Sequence, residues 1–382
     1  MFTQSLLIRI LIYIDYVTKT LSVSAWALAS LTVWVFFHIF PVNKTKTIST
    51  LRVLLILVVL IAFKANTSLI FYIFFELSIL PIIATIFLFG YQPEKLDASL
   101  YLTLYTVLAS LPLLTIIIRK TNLILTLASV FYTLAFIVKT PIYIVHIWLP
   151  KAHVQAPVGG SIVLAGILLK LGSYGLFIFF LYVKNSLIVP IYFTLSIIGR
   201  IVRRIICIRQ SDIKSLIAYS SVVHIGSVTL GLCSQTIIGY NAALFIVLGH
   251  GWCSPIIFAL AFFTYLRRHS RLLVMRSIVV SPIFLTILIC MCMCNIGLPP
   301  SLNLWSELWA CCSTLTLLST RAIGLIIIFF LGVLYNLTLY VIVAHSKPRG
   351  TIIPREVFSW GPIISLVILI RVFICLPTMS LA

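Results

Sequence analysis

Acidic residues are nearly absent from this sequence. Among 382 residues there are seven carboxylates, Asp15, Glu76, Glu94, Asp97, Asp212, Glu307 and Glu356, and charged residues of both signs make up 9% of the chain. A soluble globular protein carries about 25% charged residues, so this chain cannot present a water-facing surface all round. Long linkers and low-complexity segments are missing too, which argues against a separate soluble domain. No GxGxxG, Walker A, CxxC pair or HExxH is present, and GHG at 249–251 is not a nucleotide loop. The usual signatures of nucleotide and metal enzymes are therefore lacking. The nine cysteines follow no secreted-domain spacing. Cys290, Cys292 and Cys294 alternate at i and i+2, which puts them on different helix faces. They read as small buried hydrophobes, not as a metal cage. His146 and His153 straddle Pro150 and share no regular helix face, which argues against a haem. No A-x-A-like site follows the N-terminal apolar stretch, so the chain reads as inserted by its own helices, without a cleavable leader.

What is abundant is apolar sequence. Hydrophobic residues make up 62% of the chain, and its mean hydropathy is +1.21. Runs of about 20 apolar residues, enough to span a bilayer, recur from end to end. In lipid the backbone must satisfy its own hydrogen bonds, so the choice is helices or a closed barrel. Continuous runs, not ten-residue alternation, select helices. The fold expected is an all-α polytopic membrane protein with thirteen spans. They lie near 4–18, 21–41, 51–65, 67–90, 98–119, 122–149, 157–183, 186–203, 213–233, 238–265, 275–320 (interrupted), 322–345 and 357–378.

The net charge of +20 would suggest nucleic acid in a soluble protein. Here the basic residues fall mainly between spans. Seventeen lie in loops after even-numbered spans, with Lys151, Arg200, Arg203, Arg204 and Lys214 counted among them, and six in loops after odd-numbered ones. Positive loops stay on the cytoplasmic or matrix side. This asymmetry favours an odd number of spans, with the N-terminus on the positive side and the C-terminus opposite.

Against this background a few charges lie inside spans. Glu76 sits in FFELSILP, Lys139 directly before Pro141, Lys170 mid-span, and Glu307 in NLWSELWA. A charge at the bilayer centre costs about 2.5–3.5 kcal/mol on insertion scales, which makes each a functional candidate. Lys170 has about twelve helical residues on either side, or about 18 Å at 1.5 Å per residue, too far to snorkel, and is read as part of a regular helix. Pro141 and the run Asn295-Ile-Gly-Leu-Pro-Pro-Ser301 each break a span. Broken helices expose backbone groups near ion paths in transporters and often come as one per internal repeat. His224 and His250, inside later spans, add groups that can pass a proton near neutrality. His146 and His153 flank the first break and read as structural. Together these residues make a proton wire without a redox centre. The segment between the two lysines, Pro150 to Pro157, reads as the loop that joins two spans.

At these residues the sequence becomes recognisable. FELSILP, VKTPIYIVHIWLPKAHVQAPVGGSIVLAGILLKLGSYG, IRQSDIKSLIAYSSVVHIG, LGHGWCSPIIFALA and GLPPSLNLWSELW resemble the antiporter-like membrane subunits of mitochondrial NADH:ubiquinone oxidoreductase (complex I), in their subunit 4 branch. The resemblance runs from about Phe71 to Leu308. It implies two inverted five-helix repeats, each with a broken helix, at 51–183 and 186–345. N-terminal helices at 1–50 and a C-terminal helix at 346–382 flank them. It implies that Glu76 and Lys139 pair in the first half-channel and that Lys170 links to the centre. His224 and His250 continue the hydrophilic axis, and Glu307 is the terminal acid facing the proton exit. Departures are visible: thirteen spans where the family has fourteen, Gln155 where KAHVEAP is usual, and Leu266 where a glutamate is common.

The function this implies is proton translocation as a non-redox subunit of NADH:ubiquinone reductase, in the mitochondrial inner membrane. Positive loops and the N-terminus would face the matrix, and the C-terminus the intermembrane space. The partners implied are other membrane-arm subunits, above all neighbouring antiporter-like subunits, together with membrane lipids. NADH, FMN, iron–sulfur clusters and ubiquinone would belong to other subunits, and none to this chain. The alternatives are a free-standing Mrp-type cation/proton antiporter subunit and a structural filler that no longer pumps. Retention of Glu76, Lys139, Lys170 and Glu307 argues against the filler.

Overall fold

The computed structural model describes residues 13–23, 42–90, 92–119, 126–182, 188–268, 282–299, 301–315 and 322–345. The span expected at 357–378 and most of that at 21–41 lie outside them. The described residues form helices joined by short turns. In chain order these are α1 (residues 13–23), α2 (Val42–Phe63), α3 (Ser68–Leu77), α4 (Ile79–Phe89), α5 (Lys95–Arg119), α6 (Thr126–Lys139), α7 (Trp148–Gln155) and α8 (Val158–Val163). After a π turn at Leu164–Leu168 come α9 (Leu169–Tyr182), α10 (Ile188–Ile208), α11 (Ile213–Cys233), α12 (Ile237–Arg268), α13 (Pro282–Ile296), α14 (Leu302–Leu315) and α15 (Ala322–His345).

Six stretches among the described residues are long and apolar enough to cross a bilayer: Ser68–Phe89, Lys95–Arg119, Val158–Leu181, Ile213–Cys233, Ile237–Leu266 and Gly324–Ala344. Burial separates them into centre and periphery. Val158–Leu181 and Ile213–Cys233 are 94% buried, whereas Lys95–Arg119 and Gly324–Ala344 are 33% buried. The peripheral helices turn apolar side chains outward, such as Leu100, Leu104 and Leu108 on α5 and Ile326 and Phe330 on α15. An outward apolar face suits hydrocarbon and would be costly in water. The central helices bury nearly all their faces and carry Lys170, Lys214, His224 and His250.

Several helix ends have plain local causes. Thr67 caps α3 by accepting from the Ile70 N–H, which satisfies one of the orphan donors of the first turn. Pro141 ends α6, which stops at Lys139. The largest departures from the sequence reading concern basic residues. The helix expected to end at 203 continues to Ile208, so Arg200, Arg203 and Arg204 lie inside α10 and are buried, not in a loop. Lys214 lies in the first turn of α11, buried, with Nζ donating to Ala156 O at 2.9 Å. Lys151 lies on α7 and covers the Tyr101 ring at 3.6 Å. The segment from Pro150 to Pro157 is mostly helix α7, with Pro150, Ala152, His153 and Gln155 buried, and is not a surface loop. Gln155 Nε2 donates from it to Glu94 Oε2 at 2.9 Å.

Candidate functional site

The first break follows Lys139. Pro141 has no N–H and disfavours helical geometry at the residue before it. α6 therefore stops, and 140–147 run as turns, with Ile144 at φ 89°. Carbonyls freed by the break are taken up nearby. Trp148 Nε1 donates to Val138 O at 2.9 Å, and the Ile142 N–H to Ile137 O at 3.2 Å. Lys139 reaches across to α3. Its Nζ donates to Phe75 O, stands 3.1 Å from the Phe75 ring centroid and lies 3.6 Å from Glu76 Oε1. The lysine side chain is 1% exposed and the glutamate 20%.

α9 meets this break through glycines. A Cβ on Gly172 would stand 2.8 Å from Thr140 Cγ2 and 3.2 Å from Lys139 Cβ. A Cβ on Gly175 would enter the Phe136 ring. Lys170 lies two residues before Gly172, just beyond the π turn. It sits in the first turn of α9, in regular helix as the sequence reading has it, but the helix just ahead of it widens into the π turn. The wide turn loosens the carbonyls ahead of the lysine, and Nζ donates to Ala165 O at 2.7 Å. Among the described residues no carboxylate forms an ion pair with Lys170. A buried ammonium needs an acceptor, and here the backbone supplies it.

The GHG motif of α12 packs between Lys170 and Asn303 of α14. A Cβ on Gly251 would stand 3.1 Å from Lys170 Cε, and one on Gly249 would collide with the Asn303 side-chain oxygen. Between these two close crossings, His250 stacks on His224 with ring centroids 4.9 Å apart. His224 Nδ1 in turn lies 3.1 Å from Glu307 Oε1. Lys139, Lys170, His224, His250 and Glu307 are all at most 6% exposed. The six residues singled out in the sequence thus fall into two groups, the Glu76–Lys139 pair and the series Lys170, His250, His224 and Glu307, with Gly172 of α9 packed against the break that holds Lys139. His153 is flat against Phe258 at 4.7 Å, and His146 lies between Tyr143 and Tyr219 at 5.9 and 6.1 Å.

The second break resembles the first in construction. α13 ends at Ile296 and Gly297 turns at φ 88°, a conformation that glycine adopts without steric cost. Asn303 Nδ2 donates to Cys294 O at 3.0 Å, and Asn295 Nδ2 to Asn336 Oδ1 at 3.0 Å. Glu307 then sits one turn into α14.

Glu307 has further partners that the sequence reading missed. Arg200 Nη2 lies 3.9 Å from Oε2 and Arg204 Nη2 4.0 Å from Oε1. The signal was available: arginines at i and i+4 inside an apolar run share a helix face. The strength of the positive-loop pattern hid it.

The membrane-domain family described as NADH:quinone oxidoreductase/Mrp antiporter matches residues 65–335. The NADH-ubiquinone oxidoreductase chain 4 of Albinaria caerulea is 39% identical over 312 residues, covering 75% of this chain and 71% of that protein. That of Artemia franciscana is 40% identical over 314 residues, covering 78% and 81%. Among solved structures, respiratory complex I from Thermus thermophilus holds a chain with TM-score 0.78 and 19% identity, covering 93% of this chain and 80% of that one. The Mrp complex of Dietzia holds one with TM-score 0.83 and 15% identity, covering 99% and 88%. These two likenesses concern the fold. By the span of the family match and the identity to its relatives, this chain belongs to the NADH:quinone oxidoreductase/Mrp antiporter membrane family, among the chain 4 proteins of NADH-ubiquinone oxidoreductase.

Proposed function

We propose that this chain is a proton-translocating, antiporter-like membrane subunit of respiratory complex I, driven by NADH oxidation and ubiquinone reduction in other subunits. The observation that carries the reading is the series of ionisable groups held inside the bundle on neighbouring helices. It runs from the Glu76–Lys139 pair, past Lys170, through the His250–His224 stack to Glu307. Each group can hold or release a proton. A charge arriving at one position changes the cost of charge at the next, so a change at one end is felt along the series.

In this reading Glu76 and Lys139 load the first half, Lys170 links it to the centre, and His250 and His224 pass the proton to the Glu307 end. The chain makes and breaks no substrate bonds. NADH, FMN, iron–sulfur clusters and ubiquinone belong to other subunits, and the neighbouring antiporter-like subunits and lipid surround this one. Its place is the mitochondrial inner membrane, with the N-terminus and the positive loops in the matrix.

We take the bundle to have thirteen spans built from two inverted repeats, 51–183 and 186–345, with 1–50 and 346–382 outside them. The breaks support this reading. In each, a side chain of the second half-helix donates to a carbonyl near the end of the first: Trp148 to Val138 O, and Asn303 to Cys294 O.

The structural likeness to the Mrp complex keeps one alternative in view, a cation/proton exchanger that works alone. Proteoliposomes separate the two. The purified chain by itself should not exchange Na⁺ for H⁺, whereas the assembled complex should acidify vesicles on NADH addition with or without sodium. Sodium-dependent exchange by the isolated chain would favour the Mrp-type reading.

A further inference from the structure

We infer that Arg200 and Arg204 are positioning residues that hold Glu307 as a fixed carboxylate, so that His224 exchanges the proton at this end of the axis. The inference rests on the reading above, that the axis carries protons, and adds two residues and a division of labour to it.

The geometry is built, not incidental. Arg200 and Arg204 stand four residues apart, on one face of α10. One guanidinium addresses each oxygen of Glu307, at 3.9 and 4.0 Å, and all three side chains are at most 2% exposed. Neighbouring helices make room for them. A Cβ on Gly226 of α11 would stand 2.9 Å from Arg200 Cγ. A Cβ on Gly332 of α15 would collide with the head of Arg204, 2.9 Å from its Cζ. Two glycines on two helices thus leave space that two arginines fill. Arg203 turns elsewhere, donating to Val222 O at 3.2 Å and lying 5.5 Å from the Tyr143 ring centre.

The electrostatics give this arrangement its direction. The ionisable groups facing Glu307 are Arg200 and Arg204 from α10, His224 from α11 with His250 of α12 stacked behind it, Tyr335 from α15, and Cys311 one turn along α14. Protonating the carboxylate would leave two buried guanidinium groups without a counter-charge, the costly case for a buried ion pair. Protonating His224 instead places an imidazolium 3.1 Å from an existing carboxylate oxygen. A proton arriving by way of His250 is therefore held on the imidazole, and the carboxylate serves as its counter-ion.

The test uses the assembled complex in sealed vesicles. Infrared spectroscopy reads protonated carboxyl groups, and protons moved per NADH are followed against pH. In the double variant Arg200→Met/Arg204→Met, a protonated carboxyl band should appear at neutral pH that the unaltered complex lacks. Adding Glu307→Gln should remove it. The acid limb of the pumping profile should move up by about 1 pH unit or more, since opposite charges within about 4–6 Å shift a carboxyl by about 1–3 units. Arg200→Lys/Arg204→Lys should restore the original profile, which a merely structural loss would not predict. An assembled double Met variant with neither band nor shift overturns the inference. If that variant does not assemble, Gly332→Ala carries the test. It displaces only the Arg204 head and should move the profile in the same direction by less, and no movement overturns the inference. Glu307→Gln alone separates the two layers. If it leaves protons per NADH unchanged, the axis reading fails. If it lowers them while the arginine variants leave the profile fixed, only the present inference fails.

Discussion

Lys139 and Lys170 meet the same demand, an acceptor for a buried ammonium, in different ways. Lys139 has a carboxylate at 3.6 Å together with a backbone carbonyl and an aromatic face. Lys170 has a carbonyl at the edge of a π turn. The difference sets their response to substitution. Glu76→Gln leaves Lys139 its carbonyl and its ring, so the complex should assemble and proton transfer should fall only partly. Lys139→Met strands Glu76 beside an apolar chain. Removing one partner of a buried pair costs about 3–5 kcal/mol, and Glu76, one-fifth exposed, should place the cost near the lower end. Protons per NADH and thermal stability of the complex, measured on both variants, check the order. A Glu76→Gln variant as impaired as Lys139→Met would contradict it. At this scale the sequence was readable wherever a charge interrupts hydrocarbon, because the cost of burial makes each such residue conspicuous. For Arg200 and Arg204 a competing pattern outweighed their i, i+4 spacing. They sit close to Arg209 and Lys214, and a cluster of basic residues after an apolar run looks like a loop.

The two broken helices are the elements that place these charges. Each break leaves carbonyls to satisfy, and a side chain from the second piece closes the gap. Trp148→Phe removes the donor to Val138 O while keeping an aromatic ring. A buried acceptor left unpaired costs about 1–3 kcal/mol, and thermal unfolding of the complex should show that loss. Little change would mean that the indole is not what closes the break. Gly172 tests the packing between breaks. A Cβ there would already stand 2.8 Å from Thr140 Cγ2 and 3.2 Å from Lys139 Cβ, so Gly172→Val must push the break away from α9. Proton transfer should fall at least severalfold while NADH oxidation by the hydrophilic subunits persists, and an unchanged ratio would contradict the role of this contact. Prolines announced both breaks in advance. Nothing in the sequence announced the π turn before Lys170, because no proline or polar cluster marks where a helix gains a residue in its turn. The same holds for GHG, whose glycines matter for close approach and only in three dimensions.

At the scale of the whole molecule, a 94% buried pair of central spans and outward apolar faces on α5 and α15 describe a bundle that lipid or other subunits must surround. On a blue-native gel the chain should therefore migrate within a complex many times its own mass of 42.8 kDa, and a monomeric band would argue against membership of that assembly. Fold class was plain from composition, since 62% hydrophobic residues leave few other choices. Which helices lie at the centre was not, because a span buried in protein and a span facing lipid are equally apolar. The central claim is that protons cross this chain through Lys170, between the two halves. The most direct test is the number of protons moved per NADH oxidised by vesicles carrying the assembled Lys170→Ala complex. A lowered ratio, or blocked turnover with assembly intact, is the expected result. An unchanged ratio at normal turnover would contradict it and leave this chain a structural part of the membrane arm.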